Sequence, residues 1–118
     1  MKIKILGLIL VALNVTGCGE KYTIQPNELS IAHVNKSYSQ NIKITGGKVV
    51  DKYFEIDTDM PDDLGLKIQP NNDTSGFNDF SIKGIPKYKG EYTINISTGF
   101  YGGGSDELNK KYKLIIVE

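Results

Sequence analysis

The chain has no tryptophan, no arginine, one cysteine (Cys18) and one histidine (His33). Each shortage closes off a class of explanation. A lone cysteine forms no intramolecular disulfide and no Cys-x-x-Cys metal site, so a fold without cross-links is expected. A lone histidine, with no second one at ligand spacing and no serine or cysteine nucleophile signature, argues against a zinc site or a hydrolase triad. His33 is read as a loop residue at one end of the domain. Without arginine the chain lacks the usual bidentate reader of phosphates and carboxylates. The whole chain carries 14 basic and 14 acidic side chains. A nucleic-acid binder would need a basic face, so no nucleic-acid partner is expected. After the first segment no stretch spaces apolar residues at i, i+3, i+4 and i+7, and helices are therefore not expected.

What is present begins at the N-terminus. Lys2 and Lys4 precede an apolar run from Ile5 to Leu13, followed by Asn14-Val15-Thr16-Gly17-Cys18. A positive segment, a short apolar segment and small residues at a cut form the order of a secretory signal peptide. Nine or so apolar residues fall well short of the roughly 20 that a membrane-spanning helix needs, so the segment targets the chain and does not anchor it. Val15-Thr16-Gly17-Cys18 resembles the bacterial lipobox. That resemblance implies a signal peptide over residues 1–17, with Cys18 carrying an S-diacylglyceryl group and an N-acyl group as the first residue of the mature protein. Two or three acyl chains, at about 0.8 kcal/mol per buried methylene, hold a protein on a membrane far more firmly than one chain does. Gly19 and Glu20 follow, with no Asp directly after the cysteine. The resemblance thus favours the outer membrane, in its periplasmic leaflet or at the surface, if the cell has two membranes.

Beyond Cys18 about a hundred residues remain, which suits one small domain. Two lysines leave with the signal, giving 12 basic against 14 acidic side chains and a net charge near −2. Residues 18–28 read as a tether running into a first edge strand, with Tyr22 and Ile24 as its apolar pair and Pro26 interrupting. Period-two patterns then dominate. Tyr38, Ile42 and Ile44 share a face opposite Ser39, Asn41, Lys43 and Thr45, and Gly46-Gly47 closes that strand. Phe54 and Ile56 alternate with Tyr53, Glu55 and Asp57, and Leu64, Leu66 and Ile68 with Gly65, Lys67 and Gln69. Phe80 and Ile82 restart the pattern up to Gly84-Ile85-Pro86. Tyr92, Ile94 and Ile96 give the clearest alternation, and Tyr112 to Val117 form the last strand, with Tyr112, Leu114 and Ile116 facing in. Seven or so short strands at roughly 10-residue spacing predict an all-β, antiparallel sandwich over residues 29–118. Gly102-Gly103-Gly104 reads as a hairpin loop, since no helix follows to make a phosphate cradle, and no cofactor is expected.

Several of these segments, in this order, resemble the bacterial immunoglobulin-like domains related to cadherin-like repeats of surface proteins and haemagglutinins. The resemblance rests on Tyr38-Ser39-Gln40 through Gly46-Gly47, on Leu64-Gly65-Leu66, on Ile82-Lys83-Gly84-Ile85-Pro86 and on Gly90-Glu91-Tyr92-Thr93-Ile94. It departs from the family around Asn35-Lys36, where a glycine is usual, and before Leu64, where a proline is usual. It implies an immunoglobulin-like sandwich, and the absence of Trp and of paired cysteines sets that sandwich apart from the antibody type. Physical reasons support the turn as well: Gly84 can adopt a positive φ and Pro86 ends ladder pairing.

Candidate chemistry is sparse. Asp57, Asp59, Asp62 and Asp63 place four carboxylates within seven residues. Calcium takes six to eight oxygen ligands, and cadherin-like relatives bind it between domains, so these four are the candidates for a calcium site; a solvated acidic turn is the competing reading. The same carboxylates lie in one turn of a domain too small to frame a sugar cleft, which disfavours a glycosidase. Asn35-Lys36-Ser37, Asn72-Asp73-Thr74 and Asn95-Ile96-Ser97 fit the glycosylation pattern, which carries little weight in a bacterial lipoprotein. Tyr53, Tyr88 and Tyr101 are expected at loops or outward positions, where tyrosine gives contact area at low entropic cost. The expectation is a non-enzymatic cell-envelope lipoprotein, joined to the membrane by its lipid and meeting a protein or glycan partner. The alternatives are an inhibitor or immunity lipoprotein that neutralises a toxic enzyme, and a structural subunit of an envelope assembly.

Overall fold

The computed structural model describes residues 21–118, which form eight strands and two short 3-10 turns. The strands are β1 (Thr23–Gln25), β2 (Ala32–His33), β3 (Tyr38–Thr45), β4 (Glu55–Thr58), β5 (Leu66–Pro70), β6 (Asp79–Gly84), β7 (Gly90–Gly99) and β8 (Glu107–Val117). One sheet has the order β1-β3-β6-β5 and the other β2-β8-β7-β4. The all-β expectation holds, and the two sheets share one core.

Alternation explains that core. Inward residues of the first sheet, Ile42, Ile44, Phe80 and Ile82, meet Ile94, Ile96, Tyr112, Leu114 and Ile116 of the second, and all are buried. Each such aliphatic or aromatic side chain contributes about 1.5–3 kcal/mol on full burial. Their outward neighbours Ser39, Asn41, Lys43, Asn95 and Lys113 are exposed or half-buried polar residues. A one-residue slip would exchange the two sets, so burial fixes the register. Ile42 faces Phe80 and Ile94 faces Tyr112 across their ladders.

Four details differ from the sequence reading. First, β2 pairs with β8 in parallel, Ala32 opposite Ile116 and His33 opposite Val117, while every other pair is antiparallel. The chain does not reverse between β1 and β2, and β8 leaves its hairpin in that same direction. Second, β8 begins at Glu107, five residues before the expected Tyr112, because Glu107–Lys111 pair with Gly99–Asn95 of β7. Leu108 is the only apolar residue in that stretch, so no alternation reveals it. Third, Tyr53 belongs to a 3-10 turn, Asp51–Tyr53, and Leu64 to the turn before β5, where it is nevertheless buried. Fourth, the segment read as a tether running into a first edge strand does supply that edge strand, β1, and the residues flanking it are packed into the domain as well. Tyr22 is only 8% exposed and stacks on Phe100 at 3.7 Å. The Tyr112 hydroxyl donates to the Pro26 carbonyl at 2.6 Å.

The Gly84 turn meets its expectation. Gly84 has φ +144° and Gly65 φ +102°, and they face each other closely enough that a Cβ on Gly84 would lie 1.9 Å from the Gly65 carbonyl oxygen. Only glycine fits either position.

Candidate interaction surfaces at the two ends of the domain

Strand direction sorts the loops into two groups. At one end lie Lys21 and Tyr22, the β3–β4 connection, the β5–β6 connection and the β7–β8 hairpin. At the other lie the β2–β3 turn, the β4–β5 and β6–β7 connections and Glu118.

The first end is built around Asn78. Its Nδ2 donates to the carbonyls of Ile44 (2.9 Å) and Gly47 (2.8 Å), and its Oδ1 accepts from the Val49 amide (2.9 Å). One side chain thereby joins the β5–β6 connection to the β3–β4 connection. Lys48 Nζ adds bonds to the carbonyls of Thr74 and Ser75. The hairpin is tied in turn by Tyr101 N to Lys48 O at 2.9 Å and by the Val49–Phe100 bridge. Beneath them Phe54 stacks on Phe77 at 4.0 Å and meets Phe80 edge-on. On this braced frame Tyr53 (56% exposed) and Tyr101 (66%) project to solvent, as expected from the sequence. Between Tyr53 and the hairpin residues Gly104, Ser105 and Asp106 lies an open hollow of about 350 Å³.

The other end presents Ile31, Ile85, Tyr88 and Val117, all exposed. Tyr88, the third tyrosine expected outside, donates its hydroxyl to Asp63 Oδ2 at 2.8 Å. That hydrogen bond, followed by the carboxylate's charge, raises the Tyr88 phenol above its usual range. Ile85 was legible in principle: flanked by Gly84 and Pro86 it joins no ladder and bonds only Gly65 O through its amide. His33 is exposed at the end of β2, close to its expected loop setting.

The acidic stretch does not converge. Asp57 is an outward residue of β4, and Asp59 Oδ1 accepts from the Thr93 amide at 2.9 Å, replacing a ladder acceptor just past the strand end. Asp63 is engaged by Tyr88 and Asp62 lies exposed in the following turn. Among the described residues no three His, Cys, Asp or Glu side chains gather closely enough to hold a metal ion. Calcium at Asp57, Asp59, Asp62 and Asp63 is not the arrangement found: Asp57 and Asp59 border one small hollow on the outer face, while Asp62 and Asp63 lie in the turn beyond it, Asp63 held by Tyr88.

The outer face of the second sheet carries a shallow depression of about 360 Å³ between Glu55, Asp57, Asn95, Ser97, Asn109 and Lys111. The expected lipid site, Cys18, and the expected signal peptide lie outside the described residues. Among the described residues no helix is long and apolar enough to cross a membrane. No family model, curated protein or solved structure matches the chain.

Proposed function

We propose that this chain is a lipid-anchored protein of the bacterial cell envelope that presents an immunoglobulin-like module for binding or adhesion and performs no catalysis. The observation that carries the module is strand order. Lettering the strands in chain order as A, A′ and B to G gives A-B-E-D in one sheet and A′-G-F-C in the other. Constant-type immunoglobulin domains distribute their strands as ABED and CFG, so the order supports that fold, with β2 as a short addition beside the last strand. Isoleucine and phenylalanine fill the core in place of the disulfide and tryptophan of antibody domains. Fold alone does not assign function. The binding reading rests on the rigid frame that displays Tyr53 and Tyr101 at one end and Ile31, Ile85 and Tyr88 at the other. The anchor rests on the lipobox-like sequence ending at Cys18.

The test of anchoring is metabolic labelling with a palmitate analogue. The chain is expected to take up label and to sediment with membranes, and Cys18→Ser to lose both properties. A Cys18→Ser protein that still sediments with membranes would remove the anchor from this reading. For the module, a photo-crosslinking residue at position 88 is expected to capture an envelope component that wild-type protein competes for. Turnover of an envelope polymer by the pure protein, abolished by one side-chain change, would replace binding with catalysis.

A further inference from the structure

We infer that the end of the domain carrying Tyr53 and Tyr101 rests against lipid headgroups, with the Tyr88 end directed away from the bilayer; this rests on the lipidation of Cys18 proposed above. The argument begins at Tyr22. Its ring is stacked on Phe100 and only 8% exposed, and its hydroxyl lies over Gly103, so the chain is held in the β7–β8 hairpin from this residue onward. Lys21 packs its carbonyl against Gly46 and approaches Asp106 at 3.9 Å. Only Gly19 and Glu20 stand between Lys21 and Cys18. Whatever their conformation, three residue steps span at most about 11 Å. A lipid on Cys18 therefore brings this set of loops to the membrane surface.

Direction along the strands decides the rest. β8 is eleven residues long and runs from this end to the other. At about 3.4 Å per residue the far end lies roughly 35 Å away, beyond the reach of the tether. The near end also has suitable side chains: tyrosine rings combine an apolar body with a polar tip, the pairing enriched at membrane–water interfaces. Charge is not the attraction. Lys21, Lys48 and Lys52 at this end are outnumbered by Asp51, Asp73, Asp106 and Glu107, so the contact is expected on zwitterionic lipid.

The lone cysteine and the missing tryptophan make a direct experiment possible. The chain from Cys18 onward, which contains every described residue of the core, is coupled through Cys18 to phosphatidylcholine vesicles doped with a maleimide-headgroup lipid. Tyr53→Trp, Tyr101→Trp and Tyr88→Trp, all at exposed positions, are read in turn against a headgroup spin-label quencher. Trp at 53 and at 101 should lose most of its emission, while Trp at 88 keeps it. A ten-residue Gly/Ser insertion between Glu20 and Lys21, adding about 17 Å of mean reach, should restore emission at 101. Equal quenching at 88 and 101, or none at 53 and 101, overturns the orientation. Chemical coupling keeps this result independent of whether cells lipidate Cys18, which the palmitate label reads separately.

Discussion

Asn78→Asp exchanges an NH₂ group for an oxygen and almost nothing else, at a point where both amide protons are in use. In the native protein Nδ2 donates to Ile44 O and Gly47 O while Oδ1 accepts from Val49 N. The aspartate keeps the acceptor and loses both donors. Two hydrogen bonds at about 1 kcal/mol each, and a carboxylate then facing two carbonyl oxygens in a partly buried place, give a loss of about 2–4 kcal/mol. For a domain of this size that corresponds to a fall in melting temperature of about 10–25 °C. The sign of the pH dependence is a stricter check. Two facing carbonyls favour the protonated acid, so the new group's folded pKa lies above its unfolded value near 3.9. The folded state then binds the extra proton, and the variant loses stability relative to wild type as pH rises through the interval between those two values. Melting by circular dichroism from pH 3 to 8, with Asn78→Ala as the pH-independent control, measures both effects. A variant as stable as wild type at neutral pH, or one whose deficit grows on acidification, would refute the assignment of Asn78 as the pin of this loop end.

Gly84→Ala should cost at least about 2–3 kcal/mol, since a positive φ coincides with a backbone oxygen in the way. Gly102→Ala, at φ +73° with nothing within 4 Å of the added carbon, should cost about 1–2 kcal/mol, and chemical denaturation separates the two. Burial pushes the Tyr112 phenol up to about 12, so it should be silent in an ultraviolet titration until the protein unfolds. Because the unfolded phenol ionises near 10 while the folded one stays protonated, Tyr112 should lower stability as pH climbs from about 10 to about 12, and Tyr112→Phe should abolish that component. Calcium or a chelator should leave the melting temperature unchanged, since the four aspartates do not converge; a clear upward shift with calcium would contradict the geometry.

The parts of this fold visible in the sequence are those where one face of a strand is buried for its whole length. β3, β6 and the inner half of β7 write their burial directly into alternation, and their inward residues were all identifiable. Where pairing is held by a neighbour instead of by side chains, the pattern fades. Glu107–Lys111 are strand because β7 offers a ladder to them, and β2 is two residues long, too short for any period to show. Asn78 escaped notice for a different reason. An asparagine among Ser, Gly and Asp reads as ordinary turn chemistry, and its three bonds connect segments about thirty residues apart. The acidic cluster shows the opposite case, since nearness along the chain suggested convergence while the four carboxylates divide between the outer face of β4, where Asp57 and Asp59 share a side, and the turn that carries Asp62 and Asp63. Tyr53, Tyr88 and Tyr101 were legible as outward residues, but nothing in their spacing told which end of the domain each would occupy.

The parallel pairing of β2 with β8 also has a mechanical side. The chain enters the domain at one end and finishes at the other, so a load carried between the proposed lipid anchor and a proposed partner at the far loops would run along the strands. Under such a pull β1 is drawn lengthwise past β3, and β2 past β8, so their rungs bear the strain together and do not open one at a time. A small domain gains resistance to such a pull from this arrangement without additional contacts, and reversing the entry point would leave the same bonds to unzip in sequence.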